Sequence, residues 1–75
     1  MTAIAYVLLN TESSKRDETL EKLGKTPSVR EVHTIFGVYD VIIRVECETG
    51  EKLKETINEI RQLDTVRSTL TLICR

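Results

Sequence analysis

The sequence predicts an α+β fold whose elements follow in the order β-α-β-β-α-β. Three observations support this prediction: short runs of strand-forming residues, two charged segments with helically spaced apolar residues, and turn-forming residues between them. The chain has 75 residues, so we expect one domain, 1–75. A domain of this size has little stability to spare, and self-association is a common remedy.

Four segments have the composition of strands. The first, Ala3–Leu9, is apolar throughout and too short for a good helix. Val29–Phe36 and Val41–Cys47 are rich in β-branched residues, and Val66–Cys74 alternates between apolar and polar residues. The third segment should place four side chains on one face, which we expect to lie in the core: Val41, Ile43, Val45 and Cys47.

Two segments are predicted helices. The first should be capped by Ser13 or Ser14, turn Leu20 and Leu23 inward, and end at Gly24. The second should begin at Thr49-Gly50-Glu51. Its apolar residues follow i, i+4, i+7 spacing and form one stripe, namely Leu53, Ile57 and Ile60.

Right-handed crossovers arrange these elements as a four-stranded antiparallel sheet of order 4-1-3-2, with both helices on one face. This is the ferredoxin-like arrangement. The helix-free face is expected to carry Ile42, Arg44, Thr69, Thr71 and Ile73. Because that face mixes apolar with polar residues, we predict a homodimer in which two sheets pack ~10 Å apart. The predicted contacts are Ile42, Arg44 and Ile73.

Composition argues against several classes of protein. The net charge is −1, with 11 basic and 12 acidic residues interspersed, whereas nucleic-acid binders usually cluster a basic surplus. No apolar run approaches the ~18 residues that a membrane span requires. No secretory leader is recognisable either, so a cytoplasmic protein is expected.

Few residues suggest chemistry, so we predict no enzyme, metal or cofactor. The single histidine, His33, lies within a predicted strand as an ordinary, partly exposed ring. Cys47 and Cys74 do not have the spacing of zinc ligands and are predicted to be free thiols. Glu46 and Glu48 flank Cys47 and are interpreted as solvated charges at the sheet edge.

The connection Gly37-Val38-Tyr39-Asp40 is the most suggestive segment. Glycine permits close approach of a ligand to the backbone, aspartate can accept from a protonated amine, and tyrosine offers an apolar wall with a polar tip. The alternative is an ordinary hairpin turn, in which glycine supplies a positive φ and aspartate bonds the local backbone. The residues alone leave both interpretations open.

Three motifs resemble the C-terminal ligand-binding (RAM) domain of the Lrp/AsnC family. They are Pro27-x-Val29, the stretch from Gly37 through Tyr39-Asp40 into Val41-Ile42-Ile43-Arg44-Val45, and Val66-x-x-Thr69-x-Thr71. The resemblance implies dimers formed through sheet faces, rings such as octamers, and an amino acid effector bound between dimers. By position, it implies an effector site of Gly37, Val38, Tyr39, Asp40, Ser68, Thr69 and Thr71, with Asp40 facing the α-amino group.

The sequence departs from the family in two places. No helix-turn-helix segment is present, so we expect no direct binding of DNA but possible mixing with full-length regulators. Asp64-Thr65 replaces the Pro-Gly of many members. Two other interpretations stay open: a purely structural oligomerisation module, and an ACT-type amino-acid-binding domain of the same topology.

Overall fold

The computed structural model describes residues 2–75; the first residue of the predicted domain 1–75 lies outside them. The strands are β1 (Ala3–Thr11), β2 (Val29–Thr34), β3 (Val41–Cys47) and β4 (Val66–Ile73), and the helices are α1 (Arg16–Gly24) and α2 (Gly50–Arg61). All neighbouring strands are antiparallel, in the order β2-β3-β1-β4. This confirms the predicted ferredoxin-like topology, including the 4-1-3-2 strand order.

The core lies between the two central strands, β1 and β3, and the helices. Alternate residues of both strands are buried, as the period-two pattern of β3 predicted. Helix α2 buries the predicted stripe, Leu53, Ile57 and Ile60, and α1 adds Leu23. Each fully buried aliphatic side chain of this kind contributes about 1.5–3 kcal/mol relative to an exposed one.

The helix starts differ from each other. The Thr49 hydroxyl accepts from the Lys52 N–H at 3.1 Å and caps α2 where predicted. Neither Ser13 nor Ser14 caps α1; both lie in a 3₁₀ turn, and the helix begins later, at Arg16. The start of α1 therefore depends on contacts with the rest of the fold.

Two threonines form a buried polar contact between α1 and the start of β4. Thr19 and Thr65 are both fully buried, with hydroxyl oxygens 2.6 Å apart, and the Thr19 oxygen is 2.9 Å from the Lys15 carbonyl. Both contacts are hydrogen bonds if Thr65 donates to Thr19 and Thr19 donates to Lys15. Thr65 belongs to the Asp64-Thr65 departure from the family pattern, so that loop is tied to α1 through this hydroxyl.

Substitution of one threonine should therefore cost more than substitution of both. Thr19→Val leaves the Thr65 hydroxyl buried without a partner, and we expect a loss of about 1–3 kcal/mol in unfolding free energy. In the double variant Thr19→Val/Thr65→Val the orphaned hydroxyl is gone, so much of that loss should be recovered. Urea denaturation of the three proteins measures the difference. A double variant less stable than Thr19→Val would contradict the pairing.

The register of β4 corrects the predicted content of the uncovered face. Leu70 and Leu72 pair with Leu8 and Tyr6 of β1 and lie on that face. Thr69, Thr71 and Ile73 pair instead with residues whose side chains point to the helices. Their predicted placement is wrong, and Ile73 loses its basis as an interface residue.

The cause is a bulge at the start of β4. Thr11 pairs with Val66, but the preceding residue, Asn10, pairs with Ser68. The extra β4 residue, Arg67, shifts every later side chain to the opposite face. Strict alternation counted from Val66 cannot reveal that shift.

The cysteines are free thiols, as predicted. Cys47 is buried at the end of β3, with its sulfur 3.7 Å from the Thr56 hydroxyl, and Cys74 is exposed. Both lie towards the same end of the sheet, with β1 between their strands.

Candidate functional site

One end of the sheet brings together the end of β1, the beginning of α1 and the β2–β3 connection. One backbone hydrogen bond closes the connection, and a second joins it to β1. The Ile35 N–H donates to the Asp40 carbonyl at 2.9 Å, and the Asp40 N–H donates to the Leu9 carbonyl at 3.0 Å. Gly37 has φ 142°, a conformation that side-chain-bearing residues rarely adopt. The glycine is therefore required by the backbone itself.

The Asp40 carboxylate holds this end together. One of its oxygens accepts from the Thr11 N–H at 3.1 Å, and the other accepts from the Thr11 hydroxyl at 2.8 Å. The Arg16 guanidinium lies 3.4 Å from the second oxygen. The bonds reach across to β1 and α1, unlike the local backbone bond of the turn interpretation. An ionised carboxylate has about four acceptor positions, so roughly one stays open.

A cavity of ≈ 260 Å³ opens beside this carboxylate, and we name it the hairpin cleft. Its residues come from α1 and from both sides of the β2–β3 connection: Arg16, Thr34, Ile35, Phe36, Gly37 and Asp40. The cleft thus pairs a cation and an anion with an apolar wall. Phe36 is fully exposed and Val38 is 82% exposed, on either side of Gly37.

The predicted effector residues do not all meet in this cleft. Gly37 and Asp40 line it, whereas Val38 and Tyr39 do not. Ser68 and Thr69 line a separate hollow of ≈ 230 Å³ at the start of β4. Thr71 pairs with Val7 further along the sheet and lines neither cavity.

Sequence reasoning missed Thr11, Arg16 and Phe36. Arg16 offered one signal, because a cation in the first turn of a helix opposes the helix dipole and so suggests a compensating partner. That partner is Asp40, which is distant in sequence. The predicted second strand included Phe36, but β2 ends at Thr34. The Phe36 ring therefore lies on the β2–β3 connection.

The uncovered sheet face forms a second candidate surface. Its apolar residues lie on β1, β3 and β4, and they are Ile4, Tyr6, Leu8, Ile42, Leu70 and Leu72. The last two are 43% and 52% exposed. Such a patch typically marks an interaction site.

Charges lie beside this apolar patch. The Arg44 guanidinium, on the predicted face, hydrogen-bonds Glu31 and Glu46, the latter at 2.8 Å. Glu46 is therefore half-buried and paired with Arg44, whereas the sequence predicted that it would be a solvated charge. The hydrogen bond from Arg44, assisted by His33 at 3.3 Å, lowers the pKa of Glu31 below its ordinary value.

Within residues 2–75, no group of three His, Cys, Asp or Glu side chains is placed to hold a metal ion. No helix in this range has the length and apolar character needed to cross a membrane.

A ferredoxin-like sheet with an open apolar face and a polar cleft at its strand ends offers one surface for a protein partner and one for a small ligand. The family model described as the Lrp/AsnC ligand binding domain matches residues 4–74, and the chain belongs to this family. The resemblance inferred from the motifs is confirmed.

Curated relatives include regulators and one class of enzyme. The chain is 27% identical over 70 residues to the HTH-type transcriptional regulator FL11 of Pyrococcus furiosus, covering 93% of this chain and 46% of the regulator. It is also 40% identical over 50 residues to homocitrate synthase of Sulfurisphaera tokodaii, covering 67% of this chain and 11% of the enzyme. The chain therefore spans less than half the length of each of these relatives.

Among solved structures, the crystal structure of FFRP-DM1 is similar over almost its entire length. The TM-score is 0.93 at 35% identity, and the alignment covers 97% of this chain and 99% of FFRP-DM1. The whole of this fold thus occurs as a chain of about the same size.

Proposed function

We propose that this domain binds a free α-amino acid in the hairpin cleft and assembles into rings of dimers. The observation that carries the proposal is the Arg16–Asp40 pair, 3.4 Å apart on the wall of a cavity of ≈ 260 Å³. Opposite charges at this separation complement the two charged groups of a zwitterion. Membership of a ligand-binding family supports the same function.

The balance of hydrogen-bond donors and acceptors assigns the ends of the ligand. Arg16 has five N–H donors and is 44% exposed, so most of its donors are available to the effector carboxylate. Asp40 keeps about one acceptor position for the effector ammonium. The Ile35 and Phe36 side chains supply the apolar wall for the remainder of the molecule.

The exposed connection supports a site shared between subunits. Phe36 is fully exposed and Val38 is 82% exposed, and both lie next to the cleft. A neighbouring subunit would cover them there and shield the ligand from water. Dimers form through the open sheet face, and the connections bring dimers together into a ring. Val38 and Tyr39 act in that contact, and Ser68, Thr69 and Thr71 belong to neighbouring contacts.

The domain regulates transcription by associating with other chains. FL11 is described as an HTH-type regulator, and this chain matches less than half of it. The domain acts as a binding module and carries no catalysis of its own; effector binding changes its assembly with itself or with full-length regulators. The matched part of homocitrate synthase is a small share of that enzyme, which supports a non-catalytic module.

A purely structural oligomerisation module is the second candidate function. It is favoured by the three contacts that already occupy the Asp40 carboxylate. The two candidates differ in one measurable property, since only the sensor gains stability from a small ligand.

A melting-temperature screen against the twenty amino acids tests the proposal. An effector at 100 times its Kd should add about 2.7 kcal/mol to stability. In calorimetric titration, Arg16→Gln should weaken binding about ten- to 150-fold, as expected for loss of a charged hydrogen bond of about 1.5–3 kcal/mol. The control is Arg30→Gln, an exposed arginine that lines a different cavity. No effect of any amino acid, or equal effects of the two variants, would leave the structural module as the better account.

A further inference from the structure

The two edge strands of the sheet differ in how they are protected from pairing with another strand. Strand β2 is short, carries Arg30, Glu31 and His33, and has a register shift between Val29 and Glu31. Charges, short length and irregular register are the usual means of blunting an edge. Strand β4 has no such protection from Ser68 to Ile73, because this stretch contains no charged residue, no proline and no further bulge.

The register identifies the backbone groups that β4 presents outward. The Cys74 N–H donates to the Ile4 carbonyl at 2.9 Å, so residue 74 faces β1. Backbone groups alternate in direction along an antiparallel strand. The N–H and C=O groups of Leu70 and Leu72 therefore point to β1, and those of Thr69, Thr71 and Ile73 point outward. In the part of the chain that the structure describes, β1 is the only strand beside β4.

We propose that β4 pairs antiparallel with β4 of a second copy, joining two sheets edge to edge into one eight-stranded sheet. The strand is self-complementary about Thr71. In a register centred there, Thr71 faces Thr71 and Thr69 faces Ile73, and these pairs exchange about six backbone hydrogen bonds. Shifting the register by two residues leaves an outward-facing residue unpaired, so the centred register is preferred.

The side chains agree with this register on both faces. On the open face Leu70 lies opposite Leu72 of the second copy, which extends the apolar patch across both copies. On the helix face Ile73, 56% exposed, gains a threonine neighbour, and two threonines meet at the axis. The paired residues, 69–73, contain no charge, and the nearest cations, Arg67 and Arg75, lie beyond the two ends of the paired segment. A second copy therefore fits this edge better than a charged strand would.

This contact is separate from sheet-face dimers and from the hairpin cleft. It uses the outer edge of β4, whereas face-to-face packing uses the side chains of the uncovered face. Both contacts can exist in one assembly, and neither requires a ligand.

Charge substitution at the axis tests the pairing. Thr71→Lys and Thr71→Glu each place like charges directly opposite each other, which destabilises a cross-strand pair, whereas an equal mixture places Lys opposite Glu. Sedimentation velocity should show the edge-paired species lost in each variant alone and regained in the mixture. We expect association in the mixture to be roughly tenfold or more stronger than in either variant alone. Equal association of the mixture and the separate variants would overturn the proposal.

Amide hydrogen exchange of the wild type locates the contact independently. The amides of Thr69, Thr71 and Ile73 should become protected as protein concentration rises, while those of Leu70 and Leu72 stay protected at every concentration. Rapid exchange of the three outward amides at every concentration would overturn the proposal, even if the protein forms dimers through its sheet faces.

Discussion

Asp40→Asn should destabilise the fold by about 1.5–3 kcal/mol, the usual contribution of a hydrogen bond to a charged group. An asparagine oxygen can still accept from the Thr11 N–H, but the negative charge that strengthens both Thr11 hydrogen bonds and attracts Arg16 is lost. For a domain of this size each kcal/mol lowers the melting temperature by about 4–8 °C. Thermal denaturation of wild type and variant measures the effect.

The control is Asp64→Asn, an exposed loop aspartate for which the structure gives no hydrogen bond or ion pair. It should melt within about 0.5 kcal/mol of the wild type, as surface substitutions usually do. Calorimetry with the effector from the amino acid screen separates the two roles of Asp40. A variant that melts early and binds normally removes Asp40 from the ligand site, whereas one that melts normally contradicts its role in holding β1 and α1.

Leu70→Asp should abolish the proposed sheet-face dimer at micromolar concentration. Leu70 lies on the uncovered face opposite Leu8 and is 43% exposed, so the single chain tolerates a charge there. In the proposed dimer, each copy would bury an unpaired carboxylate, at a cost of about 3–5 kcal/mol. That corresponds to at least about a hundredfold weaker association. Analytical ultracentrifugation over a concentration series measures it.

Phe36→Asp provides the comparison. This residue is exposed on the β2–β3 connection, away from the sheet face, so dimers should persist while larger rings are lost. Dimers of Leu70→Asp that are as stable as those of the wild type would show that the sheet face is not the interface. A monomeric Phe36→Asp would place that interface at the connection instead.

The local pattern predicted the sheet order, β3 and the stripe of α2. The sheet order follows from the sequence of elements and right-handed crossovers. The buried sides of β3 and α2 follow from periodicity, because each element is buried on one side and its apolar residues recur on that side. The beginning of α1 was less predictable, because Ser13 and Ser14 are both suitable caps and neither is used. The family motifs likewise located the hairpin but did not reveal what its carboxylate touches.

The topology, the family and the position of Gly37 follow from the sequence alone, and the positive φ of Gly37 is a local requirement of the backbone. The face of β4 that meets the helices emerges only in the folded protein, because one bulged residue reverses the alternation without changing composition. The partners of Asp40 likewise emerge only in the folded protein. Thr11 lies 29 residues before Asp40 in the chain, and packing of β1 beside β3 brings them together. Periodicity describes each element alone, whereas these contacts arise between elements.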